Sequence, residues 1–362
     1  MGGGSDYIRQ MMRFSAFLAP AFVGLLAGCD APGQAEPDPV LLAAGTDTLL
    51  IPERAVPSGA YLGGERWIVV APDEGSVRTV ELGTRDTSAA FGQPSEFQHP
   101  HFVFTDEDTA YVGDWGLRRA TVWGPDGILL DTIPALAAAS GALPMAVDAA
   151  GQLYAEIYPL PTAGMDSGVV LRISPDLQRV DTAARLAPYD LAEVQEQRGV
   201  RMQRRALSGT DAWGVLADGT VWVARVDQNR VDWISPQGEI RRGRGQPDRV
   251  LEVTRADREL YVRQYPPELR PEAERVPFAI VKPPFERGFT SAAGRVWLEK
   301  SRAIGDSARR YHVVDPERGF LGELHMRGLG RILAVGGSTA LVAEVVPDSG
   351  TRFVSIPLLA GY

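Results

Sequence analysis

Two histidines and a set of aligned charges carry most of the chemistry that this 362-residue sequence offers. "HPH" places His99 and His101 two residues apart, which in an extended strand puts both rings on one face, where a metal ion could use them. No third ligand stands at a matching spacing, so the pair reads first as a loop or rim feature. The second set emerges when the aromatic-rich segments are aligned. Two or three residues beyond the aromatic position lie Asp114, Glu156, Arg225, Glu299 with Lys300, and Glu344. At equivalent ends of equivalent strands these side chains, with His101, would form a rim of mixed charge able to grip a polar ligand. Charges of both signs on a solvated rim also satisfy one another, which is the plainer expectation. No G-x-S-x-G elbow, phosphate loop or CxxC pair is present to support nucleophilic, nucleotide or redox chemistry.

What would position these residues is a repeat. "LADGTVWVARVDQNRVDWISPQGEI" (216–240) runs from an Asp-Gly turn through an aromatic-aliphatic strand, a polar turn and a second strand. "DAAGQLYAEI" (148–157), "SAAGRVWLEK" (291–300) and "DEDTAYVGDWGLRRATVWGPDGILLDTI" (106–133) start copies of it, and weaker ones start at Gly64 and Gly337. Six such units, none able to bury both faces alone, predict blades stacked around an axis. Runs such as "WIVVA" and "ALVAEVV" barely alternate, as strands covered on both faces should not. The fold class expected is therefore all-β, a six-bladed β-propeller. The last unit is short of a strand, and "TDTLLIP" (46–52) is expected to supply it and latch the ring.

Two stretches break the spacing. Residues 182–213 hold Asp190 and Glu193 at capping-box spacing before a short amphipathic turn, then Arg198, Arg201, Arg204 and Arg205. Residues 247–289 are too rich in proline for a long helix or a central strand. Both read as long loops covering one face of the domain, the second anchored by Tyr261, Tyr265, Val276, Phe278 and Phe285. The arginine cluster suits an acidic partner, the membrane surface or a solvated helix face. Trp115 and Trp213 stand in turn-rich contexts where they could stack on a sugar or peptide.

The chain carries 37 Lys+Arg against 46 Asp+Glu, a net charge of −9 that argues against nucleic acid as a partner. Its one cysteine, Cys29, rules out an intramolecular disulfide. Arg9 and Arg13 precede an apolar run, Phe14 to Gly28, too short to span a bilayer and ending in small residues, so residues 1–28 read as a signal peptide. Leu26-Ala27-Gly28-Cys29 resembles the bacterial lipobox, whose cysteine is lipidated and becomes the mature N-terminus. The Pro- and Gly-rich segment that follows makes residues 29–45 a flexible tether before a propeller domain over 46–362.

"FQHPHFVFTDEDTAYVGDWGLRRATVWGPDG" (97–127) resembles an NHL repeat, and the whole chain resembles the NHL- and TolB-like six-bladed propellers of bacterial lipoproteins. That resemblance implies a domain anchored to the membrane through Cys29, in the cell envelope and facing the periplasm or exterior. It favours a binding or scaffolding module for a protein, peptide or saccharide. The alternative is a lactonase- or esterase-like hydrolase, or a lyase, with its site in the central channel. Metal-dependent propeller lyases use several central histidines, and paraoxonase-type lactonases hold calcium with central Asn and carboxylate groups. A single asparagine, Asn229, argues against the latter, and no cofactor is expected. Intact-mass analysis of the native protein is expected to find a lipid-bearing chain that starts at Cys29; a mature chain that retains Met1 would overturn the processing.

Overall fold

A computed structural model describes residues 39–42, 45, 48–84, 96–196, 199–328, 330–359 and 362. The signal peptide, Cys29 and most of the tether lie outside the described residues, as does Arg198.

The repeated turns share one geometry. Gly151, Gly219 and Gly294 hold φ of 74°, 81° and 72°, a left-handed conformation that a Cβ would strain. Their N–H groups close onto the carbonyls of Asp148, Leu216 and Ser291. Each turn joins the innermost strand of a sheet to its second strand. Three residues on, Tyr154, Trp222 and Trp297 are all but fully buried and face the next sheet. In the first unit the turn sits one residue earlier, on Gly63 and Gly64, so Trp67 faces back to the last sheet and Ile68 faces forward. A one-residue slip flips every side chain of a strand.

Five four-strand meanders and one of three described strands form the ring. Their innermost strands are Ser58–Tyr61, Pro100–Asp106, Pro144–Val147, Ala212–Val215, Phe285–Thr290 and Arg331–Val335. Each neighbours the next, and Arg331–Val335 returns to Ser58–Tyr61, so the ring closes. The core divides accordingly into six apolar clusters, one between each pair of adjacent blades. This is the six-bladed propeller.

Closure uses the N-terminal segment. Thr48–Ile51 pairs antiparallel with Gly350–Pro357 as the outermost strand of the sixth blade. Ile51 joins the cluster between the sixth and first blades. Just beyond it Glu53, 3% exposed, takes the Arg78 guanidinium of the first blade, while its carbonyl accepts the Thr351 hydroxyl of the sixth (2.7 Å). Val40–Leu41 adds a parallel fifth strand outside Gly319–Arg327 in the fifth blade.

Both irregular stretches are ordered differently from the sequence expectation. Residues 191–204 form a β-hairpin, Leu191–Glu196 against Gly199–Arg204, and not an amphipathic turn. In L-A-E-V-Q-E the alternation is regular, with Ala192 and Val194 inward and Glu193 toward solvent, while in the partner strand Val200 and Met202 face out. The capping box stands instead in the second stretch, where Thr254 and Asp257 close the first turn of the helix Arg255–Arg263. That helix ends before Pro266-Pro267, and Phe285, fully buried, opens the fifth blade and is no part of the cover. Tyr261, Tyr265 and Phe278 do pack together. The covers are tied to each other: Ala206 N–H donates to Pro277 O (2.7 Å) and Ala279 N–H to Ala206 O (3.0 Å).

Deleting residues 46–52 removes one fully buried isoleucine and a run of ladder hydrogen bonds, about 3 kcal/mol together. The melting temperature is expected to fall by at least about 5 °C; an unchanged melting temperature would show that the ring does not need its latch.

Candidate functional site

The chain passes from the outer strand of one blade to the innermost strand of the next on a single face. On that face the second strands also end, so Asp114, Glu156, Arg225, Glu299, Lys300 and Glu344 are brought to one rim. They do not pair with one another. Asp114, 1% exposed, accepts the backbone N–H groups of Gln98 (2.8 Å), His99 (3.0 Å) and Leu117 (3.0 Å), which fixes both loops at the top of its blade. Arg225 bridges Asp211 (2.8 Å) and Asp232 (3.1 Å). Glu344 takes Arg352 across its own strand pair (2.5 Å). His99 and His101 are exposed, with stacked rings 5.7 Å apart; burial and the His99 charge lower the His101 pKa.

Glu299 and Lys300 are adjacent and therefore face opposite sides of the fifth blade. Glu299, fully buried, meets Arg287 (2.8 Å), Arg309 (2.5 Å) and Arg331 (3.1 Å) at the interface with the sixth blade. Burial opposes its charge, but the guanidiniums of Arg287 and Arg331 outweigh that and hold its carboxyl below the usual range. Lys300, also fully buried, points to the fourth blade, where it meets Asp248 (2.9 Å) and the side-chain oxygen of Asn229 (2.9 Å). Asp248 continues through Arg310 (3.0 Å) to Glu323 (2.9 Å), which also takes His312 (2.9 Å) and His325 (2.5 Å). Despite partial burial, those donors pull the Glu323 carboxyl down to about 2.

Ligating atoms of Asp248, His312 and Glu323 lie within 4.8 Å of one another, a set that could hold a metal ion. Lys300 and Arg310 already supply the positive charge there, so the group is built as an ion-pair network and not as a cation nest. Asn229, the lone asparagine, belongs to it as a structural link: its amide also donates to Gln246 O (2.8 Å), tying the fourth blade to its cover.

Two rim carboxylates have no cationic partner among the described residues: Asp114, which three backbone N–H groups satisfy, and Glu156. Glu156 is half-buried and accepts a hydrogen bond from the Trp213 indole N–H (2.7 Å) of the innermost strand of the fourth blade. Burial raises its pKa, the indole bond opposing and the Asp211 charge adding to the effect. Two phenols feel the same carboxylate. Tyr158, 47% exposed, is pushed up to about 12 by burial and by Glu156. Tyr189 is raised chiefly by burial, and the Arg204 guanidinium of the hairpin stacks on its ring at 4.6 Å. Arg204 donates in turn to Ser208 O (2.8 Å), so the hairpin base is fixed over this cluster. Trp115, by contrast, stands 38% exposed on the second blade, edge-on to Phe102.

Sequence reading found Glu156, Trp213 and Arg204 separately. It did not find Tyr158, Tyr189, Asp211 or the three arginines around Glu299, because these meet across blades or loops and share no spacing. Replacing Glu299 with Leu would leave three guanidiniums with no shared counter-charge, an expected loss of about 3–5 kcal/mol in urea unfolding; a loss under about 1 kcal/mol would show that the arginines find water instead.

The sequence matches no protein-family model and no curated protein. Solved structures are similar in architecture. A virginiamycin B lyase from Staphylococcus aureus aligns with a TM-score of 0.46 and 10% identity, over 86% of this chain and 98% of that one. Regucalcin, a calcium-binding protein from Agrobacterium tumefaciens, gives 0.44 and 10% over 88% and 96%. A DUF4221 protein from Bacteroides vulgatus gives 0.47 and 8% over 87% and 97%. These likenesses are of fold alone.

Proposed function

We propose that the chain is a lipid-anchored binding module of the cell envelope, held through Cys29, and that it takes its ligand on the loop-bearing face over the third and fourth blades. The carrying observation is Glu156: a half-buried carboxyl with no cationic partner among the described residues, oriented by Trp213 and flanked by Tyr158 and Tyr189. The carboxylate accepts donors, the phenols give and accept them, and the exposed Tyr158 ring offers a flat apolar surface. This chemistry suits a saccharide or a peptide that presents hydroxyl or N–H groups beside an apolar face.

The other charged rim residues support binding over turnover, since each is committed to an ion pair or, for Asp114, to three backbone N–H groups. A hydrolase or lyase reading draws on the same Glu156, whose raised pKa suits proton transfer. The nearby phenol is a poor base near neutrality with a pKa of about 12, so the site lacks a matched acid–base pair.

Glycan and peptide arrays probed with the purified protein are expected to give saturable signals that the Glu156→Ala and Tyr158→Ala variants lose at least tenfold. Both positions are partly exposed, so the fold should persist, with circular dichroism as the check. Signals unchanged in both variants would place the ligand elsewhere and sink this site.

A further inference from the structure

The second cover carries a separate feature. Between the helix Arg255–Arg263 and the returning segment lies an open cleft of about 700 Å³, within the range of small-ligand sites. Its floor is apolar: Val262, Val276, Pro277 and Phe278. Its walls hold Arg255, Arg258, Arg263 and Arg270 against Glu259 and Glu274, a surplus of two positive charges (4 − 2) in a chain whose net charge is −9.

The arginines are oriented as well as numerous. Arg255 is held through Nε by the Glu259 carboxylate (2.8 Å), Arg263 through Nε by the Glu259 carbonyl (3.3 Å), and Arg270 through Nε by the Tyr265 carbonyl (3.1 Å). Arg258 lies over the Phe278 ring at 5.4 Å. A guanidinium tied at Nε still has its two terminal nitrogens as a fork that can grip a carboxylate or phosphate with two parallel hydrogen bonds. Below the floor, Tyr261 packs edge-on against Phe278 and tilted against Tyr265, and the Tyr261 and Tyr265 hydroxyls meet at 2.8 Å, so the apolar base is rigid before any ligand arrives.

We infer that this cleft is a binding site for an anionic amphiphile: a phosphate or carboxylate head gripped by the arginine forks, with an aliphatic body laid on Val262, Val276 and Phe278. Neither half suffices alone. The head without the tail leaves the floor wet, and the tail without the head leaves the forks unpaired.

Calorimetric titration of the full chain tests it with octyl phosphate below its micelle concentration, against octanol and inorganic phosphate. Octyl phosphate is expected to bind saturably and at least tenfold more tightly than either fragment. The Arg258→Ser/Arg263→Ser double variant, altered only at exposed positions, is expected to lose that affinity at least tenfold with its melting temperature unchanged. Arg270→Lys keeps the charge but not the fork and is expected to lose several-fold. Equal affinity in wild type and the double variant, equal binding of octanol, or no saturable binding would overturn the proposal. Cosedimentation with phosphatidylglycerol vesicles that the double variant retains in full, without octyl phosphate binding, would assign the arginines to no cleft and overturn it too.

Discussion

A ring of blades has no outside face to leave unfinished, and that constraint governs the rest of this molecule. Each blade is a sheet with apolar side chains on both sides, so each needs two neighbours, and the last interface can form only if the two ends of the chain meet. Trp222 and Trp297 show what each interface gains, since burying one such ring contributes about 2–3 kcal/mol or more. The N-terminal strand Thr48–Ile51 makes the sixth blade complete, and Glu53 stitches it to the first through Arg78 and Thr351. Closure is thus both apolar and ionic, and the ionic part sits where a buried carboxylate without its arginine would cost most.

Packing blades this tightly has an electrostatic consequence at the rim. Strands end in charged residues as they approach solvent, but in a propeller those ends are still squeezed between neighbours. Glu299 and Lys300 are fully buried although they close a strand, so each had to be matched by opposite charge. The result is a face whose charges are mostly committed to structure: three arginines on Glu299, an aspartate on Lys300, two aspartates on Arg225. Glu156 escapes this rule because its neighbour across the interface is Trp213, a neutral donor. A carboxyl that is desolvated yet unpaired by a cation is costly to keep, which is the physical reason for reading it as a site.

The fold was legible because its signals are local. A left-handed glycine with an aromatic three residues later recurs in four units, with the same turn in three of them, and apolar runs between turn residues bring the count to six. Even so, the first unit conceals a slip of one residue that reverses Trp67, since the spacing to the glycine is preserved while the turn is not. The site was less legible. Alignment placed the rim residues at one end of their strands, but which charge meets which depends on partners off that alignment, such as Asp211 at the entry of the blade for Arg225 and Arg331 of the next blade for Glu299. Residues 191–204 depart from the expected amphipathic turn because capping-box spacing is only two residues of information, and the pairing of two six-residue strands outweighs it.

The two covers follow from the same geometry. Both are insertions between an outer strand and the next innermost strand, flanking the fourth blade, so both land on the rim that carries Glu156. Ala206, at the exit of the hairpin, bonds to Pro277 and Ala279 at the exit of the helical segment, and Phe278 between them forms part of the arginine cleft. The base of the first cover and the floor of the second are therefore hydrogen-bonded backbone to backbone. Arg204, bonded to Ser208 O, extends this link to Tyr189, on whose ring its guanidinium stacks. A rigid ring can thus present two chemically different surfaces on one face, an acidic aromatic cluster and a basic apolar cleft, and hold their separation fixed through a short stretch of paired chain.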